Sequence, residues 1–401
     1  MNILTMKWID LLVGIPLCVL LTPLAWIGRH ILRPAVLQVE EKSDILFIKM
    51  MGIGSILLAT PAVRAVRSQF PGARLHLVTF RNARHMADNL RIFDEIHSLR
   101  TANLWVFGYD TVVFLFHSWR QGYVVAFDFE FFSKFSVVLA FLSGACHIVG
   151  FRSPLVFRGS LLTHPVYFNH YRHVTENFVS QVRAIGADTT DLLLSPMRYN
   201  AEDESFVVSF LSQQAVPSDA RLILVNIHAG DLCLERRWPA AYYRELVQAL
   251  RKRYTDVWFL FVGAPKEKAY VDETLQSIED KFRILNAAGF SLYQMAALMR
   301  RSALLISNDS GPLHFAESVE LPTVSFFGPA PVNLFSPKGP RHRILYARVE
   351  CSPCLNYYGL TRPICQGNNV CMKNILPEQA EQVVVEQLER WHPEDAPTGA
   401  S

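Results

Sequence analysis

Short apolar runs that stop at glycine or polar residues, each followed by a stretch with helical spacing, recur along most of the chain. Ile45–Ile48 is rich in strand formers, and Met51-Gly52-Ile53-Gly54-Ser55 breaks it before a helical stretch over Ile56–Gln69. The alternation continues with expected strands at Leu75–Phe80, Thr111–Phe116 and His147–Phe151 and an expected helix through Phe132–Leu142. A second cycle starts at Arg221–Asn226, passes Trp238-Pro239 into a helix reaching Arg251, and gives strands at Val257–Val262, Leu304–Ser307 and Thr323–Phe327. Parallel strands need a crossover between them, so this alternation predicts parallel sheets covered by helices. Two cycles in 401 residues, half of them hydrophobic, predict an α/β chain of two Rossmann-like domains, 44–195 and 196–376. Residues 1–43 are left as a membrane anchor with its linker, and 377–401 as a closing helix over Pro377–Trp391 with a loose tail at Pro393–Ser401.

The anchor is read from Leu11–Gly28, which holds no charged residue and has about the minimum length for a helix to cross a bilayer. Trp8 and Trp26 sit near its ends, where indole rings favour the membrane interface. Arg29, His30 and Arg33 follow it while only Lys7 precedes it, an asymmetry that places the bulk of the chain on the cytoplasmic side of an inner membrane. A secretory signal is the rival reading, and Pro16 and Pro23 leave open a kinked helix that dips in and returns. The net charge of +3 is spread along the chain with no basic block, which argues against a nucleic-acid partner. Arg64, Arg67, Arg74, Arg81, Arg84 and Arg91 recur in the first domain, either as helix surface or facing anionic head groups.

Ligands of open α/β sheets bind beyond the carboxyl ends of the strands, so the polar breaks are where a site is expected. The most informative break is Asn308-Asp309-Ser310-Gly311-Pro312-Leu313-His314. Amides at Ser310 and Gly311, opening a helix, suit a phosphate, while the alternative is an ordinary Asp/Ser helix cap with a turn glycine. Phe326-Phe327-Gly328-Pro329 follows as another strand ending in a tight turn.

Four motifs in order carry a resemblance: Lys49 with Gly52–Ser55 and Pro61-Ala62; Ala229-Gly230 through Arg236-Arg237-Trp238-Pro239; Asp309-Ser310-Gly311 with His314; and Phe327-Gly328-Pro329. Over about Ile45 to Ile375 the chain resembles glycosyltransferase family 9, which contains the heptosyltransferases of lipopolysaccharide core synthesis. The resemblance implies a GT-B fold, with two Rossmann-like domains facing a cleft. It further implies inverting, metal-independent transfer of a sugar such as heptose from a nucleotide-sugar donor, ADP-heptose or similar, to a lipid-linked or lipopolysaccharide acceptor. No cofactor is required for that transfer. On this basis Asp309, Ser310, Gly311, Pro312 and His314 grip the donor diphosphate, Arg236 contacts phosphate, and Glu267 approaches the ribose. A leaving diphosphate gains negative charge, which preorganised amides and a guanidinium stabilise.

The chain departs from the family at the loop of Gly52 and Gly54, where many relatives carry an aspartate thought to act as general base and this chain has Ser55. A serine hydroxyl takes no proton at neutral pH without a second base. Asp128, and after it Glu130, are the expected replacements, since their aromatic neighbours in Phe127–Phe132 can raise a carboxyl pKa. A noncatalytic nucleotide-sugar or glycan-assembly binding protein is the alternative that Ser55 keeps open. Cys351, Cys354, Cys365 and Cys371 form a C-x2-C-x10-C-x5-C arrangement. They are read either as ligands of a structural zinc or iron–sulfur cluster or as reduced structural thiols.

Overall fold

A computed structural model of the chain describes residues 3–30, 36–230, 233–278, 280–355, 365 and 368–391. The tail expected at Pro393–Ser401, together with Arg33, lies outside the described residues. The described residues divide into two compact units, one up to Ser195 and one from Pro196 onward.

The first unit opens with α1 (Ile3–Leu12) and α2 (Gly14–His30). It continues through β1 (Asp44–Ile48), α3 (Ile53–Leu58), α4 (Thr60–Gln69), β2 (Arg74–Phe80), α5 (Arg81–Leu90) and β3 (Glu95–Leu99). Then come α6 (Leu104–Gln121), β4 (Val125–Asp128), α7 (Lys134–Leu142), β5 (His147–Arg152), β6 (His164–Tyr167) and α8 (Val174–Val182). Every strand pairing is parallel and the order is β3-β2-β1-β4-β5-β6. This is the doubly wound order, with the chain reversing its direction of travel between β1 and β4.

The second unit runs α9 (Ala201–Gln213), β7 (Arg221–Asn226), α10 (Ala240–Arg253), β8 (Val257–Phe261), α11 (Lys268–Gln276), β9 (Ile284–Asn286) and α12 (Leu292–Arg300). It closes with β10 (Leu304–Asn308), α13 (Gly311–Ser318), β11 (Thr323–Phe327), α14 (Val332–Phe335), β12 (His342–Tyr346), α15 (Val370–Lys373) and α16 (Pro377–Arg390). Its strand order, β9-β8-β7-β10-β11-β12, repeats the first sheet's and is again parallel throughout. The central strands are continuous apolar runs because both faces are covered: Ile223, Leu224, Val225, Phe259, Leu260 and Phe261 have no exposed surface. Trp238 stacks on Phe326 at 4.1 Å and donates its indole N–H to Ile375 O at 2.8 Å, which satisfies its polar atom inside the core. Helix α16 packs on α10 and against β11.

One expected strand is overturned. Thr111–Phe116 lies inside helix α6. Its Thr-Val-Val-Phe-Leu-Phe composition favours a strand locally, but stronger signals frame it. Asn103 caps the helix by accepting from Val106 N at 2.9 Å, and Gly122 ends it in the left-handed region at φ 71°. The strand of this region is β4, and β3 precedes the helix.

The N-terminal helices are docked on the first unit rather than separate from it. Asp10 accepts from Ser133 Oγ and Phe135 N, both at 2.8 Å, and so caps the start of α7. On α2, Cys18 and Ala25 are buried against the Val137–Val138 face of α7, while Val19, Leu20, Leu24 and Trp26 are exposed, as are Trp8 and Leu12 on α1. Val13 N to Ile9 O and Leu17 N to Val13 O carry the helical ladder across the α1–α2 junction. Thr5–Gly28 is long and apolar enough to cross a membrane, by length and composition.

Candidate active site

Both sheets place polar side chains at the carboxyl ends of the strands that flank their point of reversal. In the first unit these are β1 and β4, with Ile48 paired to Asp128 in register. Asp128 has no exposed surface. It accepts from Ser136 Oγ at 3.0 Å and Glu130 N at 3.1 Å, and pairs with the buried guanidinium of Arg158. Arg158 in turn donates to Ser133 O and Phe151 O, each at 2.9 Å. Burial pushes the Asp128 carboxyl above its ordinary pKa, against the opposing pull of Arg158. Glu130 is 7% exposed, and its Oε1 accepts from Lys49 Nζ at 2.9 Å, Met50 N at 2.6 Å and Met51 N at 2.8 Å. No described residue hydrogen-bonds its Oε2. Glu130 therefore fixes the turn after β1.

That turn leads into α3 at Gly52, which sits at φ 84°. A Cβ there would lie 2.7 Å from Ser55 Oγ, so a residue other than glycine meets both strain and a clash. Gly54 is buried, and the Ser55 amide donates to Gly52 O at 2.9 Å. The first-unit arginines are largely paired: Arg64 with Asp191, Arg67 with Asp94 and Arg84 with Asp88.

In the second unit the flanking strands are β7 and β10, ending in Asn226 and Asn308. Asn226 Nδ2 donates to Ser310 Oγ at 2.8 Å, to Ser307 Oγ at 3.0 Å and to His228 O at 3.0 Å. Ser310 stands at the N-cap of α13 but its side chain makes no cap hydrogen bond; its hydroxyl turns back to Asn308 O at 3.2 Å. The first-turn amides of α13 are thus left uncapped by that side chain, and Pro312, lacking an N–H, sits where a helix start tolerates it. Arg236 reaches this turn from the other side. Its Nη1 donates to Asp309 O at 2.9 Å and lies 3.2 Å from Asp309 Oδ2, and its Nη2 donates to Ala229 O. Asn308 Oδ1 accepts from Trp238 N at 2.8 Å, tying the Arg-Trp-Pro loop to the end of β10.

Glu267 lies beside the same loops. His228 Nδ1 is 2.5 Å from Glu267 Oε1, and His228 Nε2 accepts from Arg237. The Gly230 amide also donates to His228 Nδ1, at 2.8 Å. Burial works against ionising Glu267, but His228 and the Ala264 amide outweigh it and hold the carboxyl below its usual range. His314 is buried one turn into α13, with Nδ1 3.5 Å from Glu317 Oε2.

The structure thus gathers Arg236, Asp309, Ser310 and Gly311 around one helix start, with Glu267 attached through His228. Asn226, His228 and Arg158 are contributors that the sequence reading missed. For Asn226 a signal existed, since it ends β7 as Asn308 ends β10; for Arg158, in a loop far along the chain from Asp128, there was none.

All seven cysteines are free thiols. Cys354 N and Leu355 N both donate to Pro329 O, at 3.0 and 2.8 Å, and a Cβ on Gly328 would lie 2.9 Å from Cys371 Sγ. The Phe327-Gly328-Pro329 turn therefore holds Cys354 and Cys371 close together. Burial, with the nearby Cys354, Cys351 and Cys365, pushes the Cys371 thiol up to about 11. Thiolates are donors that soft metal ions accept.

The model of glycosyltransferase family 9 (heptosyltransferase) matches residues 134–364. Among curated proteins, lipooligosaccharide heptosyltransferase 2 of Campylobacter jejuni is 25% identical over 158 residues, 39% of this chain and 46% of the relative. The match therefore spans about half the length of that relative. Among solved structures, a family 9 glycosyltransferase from Veillonella parvula superposes with a TM-score of 0.73 at 21% identity, over 88% of this chain and 99% of that one. ADP-heptose lps heptosyltransferase II of E. coli superposes with a TM-score of 0.67 at 18% identity, over 86% and 99%. These likenesses show the fold, the two parallel-sheet α/β units of a GT-B chain. With the family model covering more than half of its length, the chain belongs to glycosyltransferase family 9.

Proposed function

We propose that this protein transfers heptose from ADP-heptose to a lipopolysaccharide-type acceptor, with inversion at the anomeric carbon and without a metal at the transfer site. The observation that carries the reading is the start of α13, where the Ser310 hydroxyl is drawn away by Asn226 and Arg236 is locked against Asp309. Uncapped amides, the helix dipole and a fixed guanidinium are suited to a diphosphate that gains charge as it leaves. The ADP-heptose in the name of the E. coli neighbour supports the choice of donor. As the acceptor hydroxyl attacks, its oxygen bonds to the anomeric carbon, the bond to the diphosphate breaks, and ADP departs with the electron pair.

The acceptor proton goes to Glu130 in this reading. Asp128 is closed off and paired with Arg158, whereas Glu130 keeps Oε2 outside the contacts made by Oε1. Glu130→Gln should lower sugar transfer about 10²- to 10⁴-fold while donor binding persists. Full activity in that variant removes the assignment. The noncatalytic alternative draws on Ser55 and on the buried state of Asp128. A panel of nucleotide sugars, read by thermal stabilisation and by sugar transfer to lipid extracts, separates the two: stabilisation without turnover selects the binding protein, and no response to any ADP-sugar sinks both.

The membrane reading rests on apolar surface in the first unit. Helix α6 exposes Trp105, Tyr109, Val112, Phe116 and Trp119 at successive spacings of four and three, so they form one stripe. Phe107 of α6 contacts Phe135 of α7, the helix that also carries α1 and α2. The stripe and the exposed apolar residues of α2 lie on helices that both adjoin α7, and each suits shallow insertion into the cytoplasmic leaflet of the inner membrane. The cysteine cluster is read as a thiolate site for zinc or an iron–sulfur cluster, to be checked by metal analysis and visible spectroscopy of protein without a histidine tag.

A further inference from the structure

At the opposite end of the first sheet from the reaction machinery, strand pairing collects a second set of metal-binding side chains. His76 on β2 is the register partner of Glu95 on β3, and His97, two residues on, shares the face of Glu95 because strand side chains alternate. Helix α6 crosses the same face and brings in His117, whose ring lies 4.6 Å from that of His97. The ligand atoms of His76, Glu95, His97 and His117 all lie within 4.8 Å of one another. Glu95 Oε1 is 3.4 Å from His117 Nε2 and 3.6 Å from His97 Nε2, and Glu95 Oε2 is 3.4 Å from His76 Nδ1. A tetrahedral zinc site with bonds of about 2.0–2.1 Å has edges of about 3.4 Å.

The proton inventory points the same way. His76 is fully buried and its Nε2 lies 2.7 Å from Asp44 Oδ1. A carboxylate only accepts, so Nε2 carries a proton toward Asp44, and Nδ1 is the ring nitrogen turned toward the Glu95 carboxylate. His76 Nδ1, His97 Nε2 and His117 Nε2 are each buried atoms without a hydrogen-bond partner. Three unsatisfied imidazole nitrogens facing one carboxylate are costly unless a cation lies among them. Asp44, itself accepting from Gln121 Nε2 at 2.9 Å, orients His76 as an outer-shell carboxylate orients a metal-bound histidine. Glu95 and Asp44 together balance a divalent charge, with Arg74 at 3.7 Å from each on the solvent side.

We propose that His76, Glu95, His97 and His117 bind a structural zinc ion that fastens α6 to β2 and β3. The site closes its coordination with protein ligands and lies at the amino ends of the strands, so it takes no part in transfer.

The test uses the full chain in detergent without a histidine tag, carrying Cys351→Ser and Cys354→Ser so that thiolate ligands do not contribute. After dialysis against zinc, metal analysis should find about one zinc per chain. His117→Gln, at a half-exposed position, and His97→Gln should each reduce it at least tenfold. Cobalt loading of the same protein should give the visible bands of a tetrahedral nitrogen–oxygen site with no thiolate charge-transfer band. Chelation should speed amide exchange in α6 and leave α13 unchanged. No stoichiometric zinc in the thiol-depleted chain, zinc content indifferent to both histidine variants, or a cobalt spectrum lacking tetrahedral bands would each overturn the proposal.

Discussion

The two sheets share one topology, yet their points of reversal are furnished differently. At the end of β4 the buried charges Asp128 and Arg158 neutralise one another, while Glu130 meets Lys49 through Oε1 alone. At the end of β10 the polar side chains organise backbone instead. Arg236 holds carbonyls of Asp309 and Ala229, and Asn226 draws the Ser310 hydroxyl off the helix start. A buried ion pair makes a rigid wall, whereas oriented amides and an anchored guanidinium make a receptor for an anion. The same fold thus supplies a shaped surface in one half and an electrostatic cradle in the other.

The contrast breaks most readily at Arg158. Arg158→Ala strands a buried carboxylate and should cost the first unit about 3–5 kcal/mol, read as a lower denaturant midpoint. A loss below about 1 kcal/mol would mean that the pair is no wall. Next in size, Arg236→Ala should cut kcat/KM for the nucleotide sugar about 10²-fold, roughly 3 kcal/mol, with little change in acceptor KM. An equal effect on both substrates would erase the distinction between the halves.

Acid sharpens the comparison through His342, whose pKa burial lowers from 6.5 to about 4. The unfolded chain then binds the extra proton between those values, so the second unit loses stability as pH falls from 6.5 toward 4. At pH 5 the loss from this group is roughly 2 kcal/mol, and His342→Asn should remove most of it in urea titrations at pH 7 and 5. The smallest effect is expected for Trp238→Phe, which keeps the stack on Phe326 but gives up the bond to Ile375 O, about 1 kcal/mol.

The second unit was the more legible in sequence. Asn308–His314 reads as strand end, turn and helix start within a few residues, and Arg236 stands in the same short segment as Trp238-Pro239. Local spacing carries such information. The first unit resisted because its decisive partners are far apart in sequence: Arg158 comes to Asp128 from the loop after β5, and Lys49 after β1 meets Glu130 after the neighbouring β4. Composition misled at Thr111–Phe116, where β-branched and aromatic residues sit on a helix with an exposed apolar stripe and not in the sheet. His314 was placed beside the phosphate by the family resemblance alone; in the structure it is buried one turn into α13, near Glu317.

Asp10 gives the N-terminal segment a duty that its apolar length does not account for. Its carboxylate closes the amino end of α7, so trimming the first dozen residues would strip a cap from a helix that lines the sheet. Shortened versions are therefore poor stand-ins for the native protein, and exchanging exposed Trp8, Leu12 and Leu20 for polar residues while keeping Asp10 is the sounder way to solubilise it.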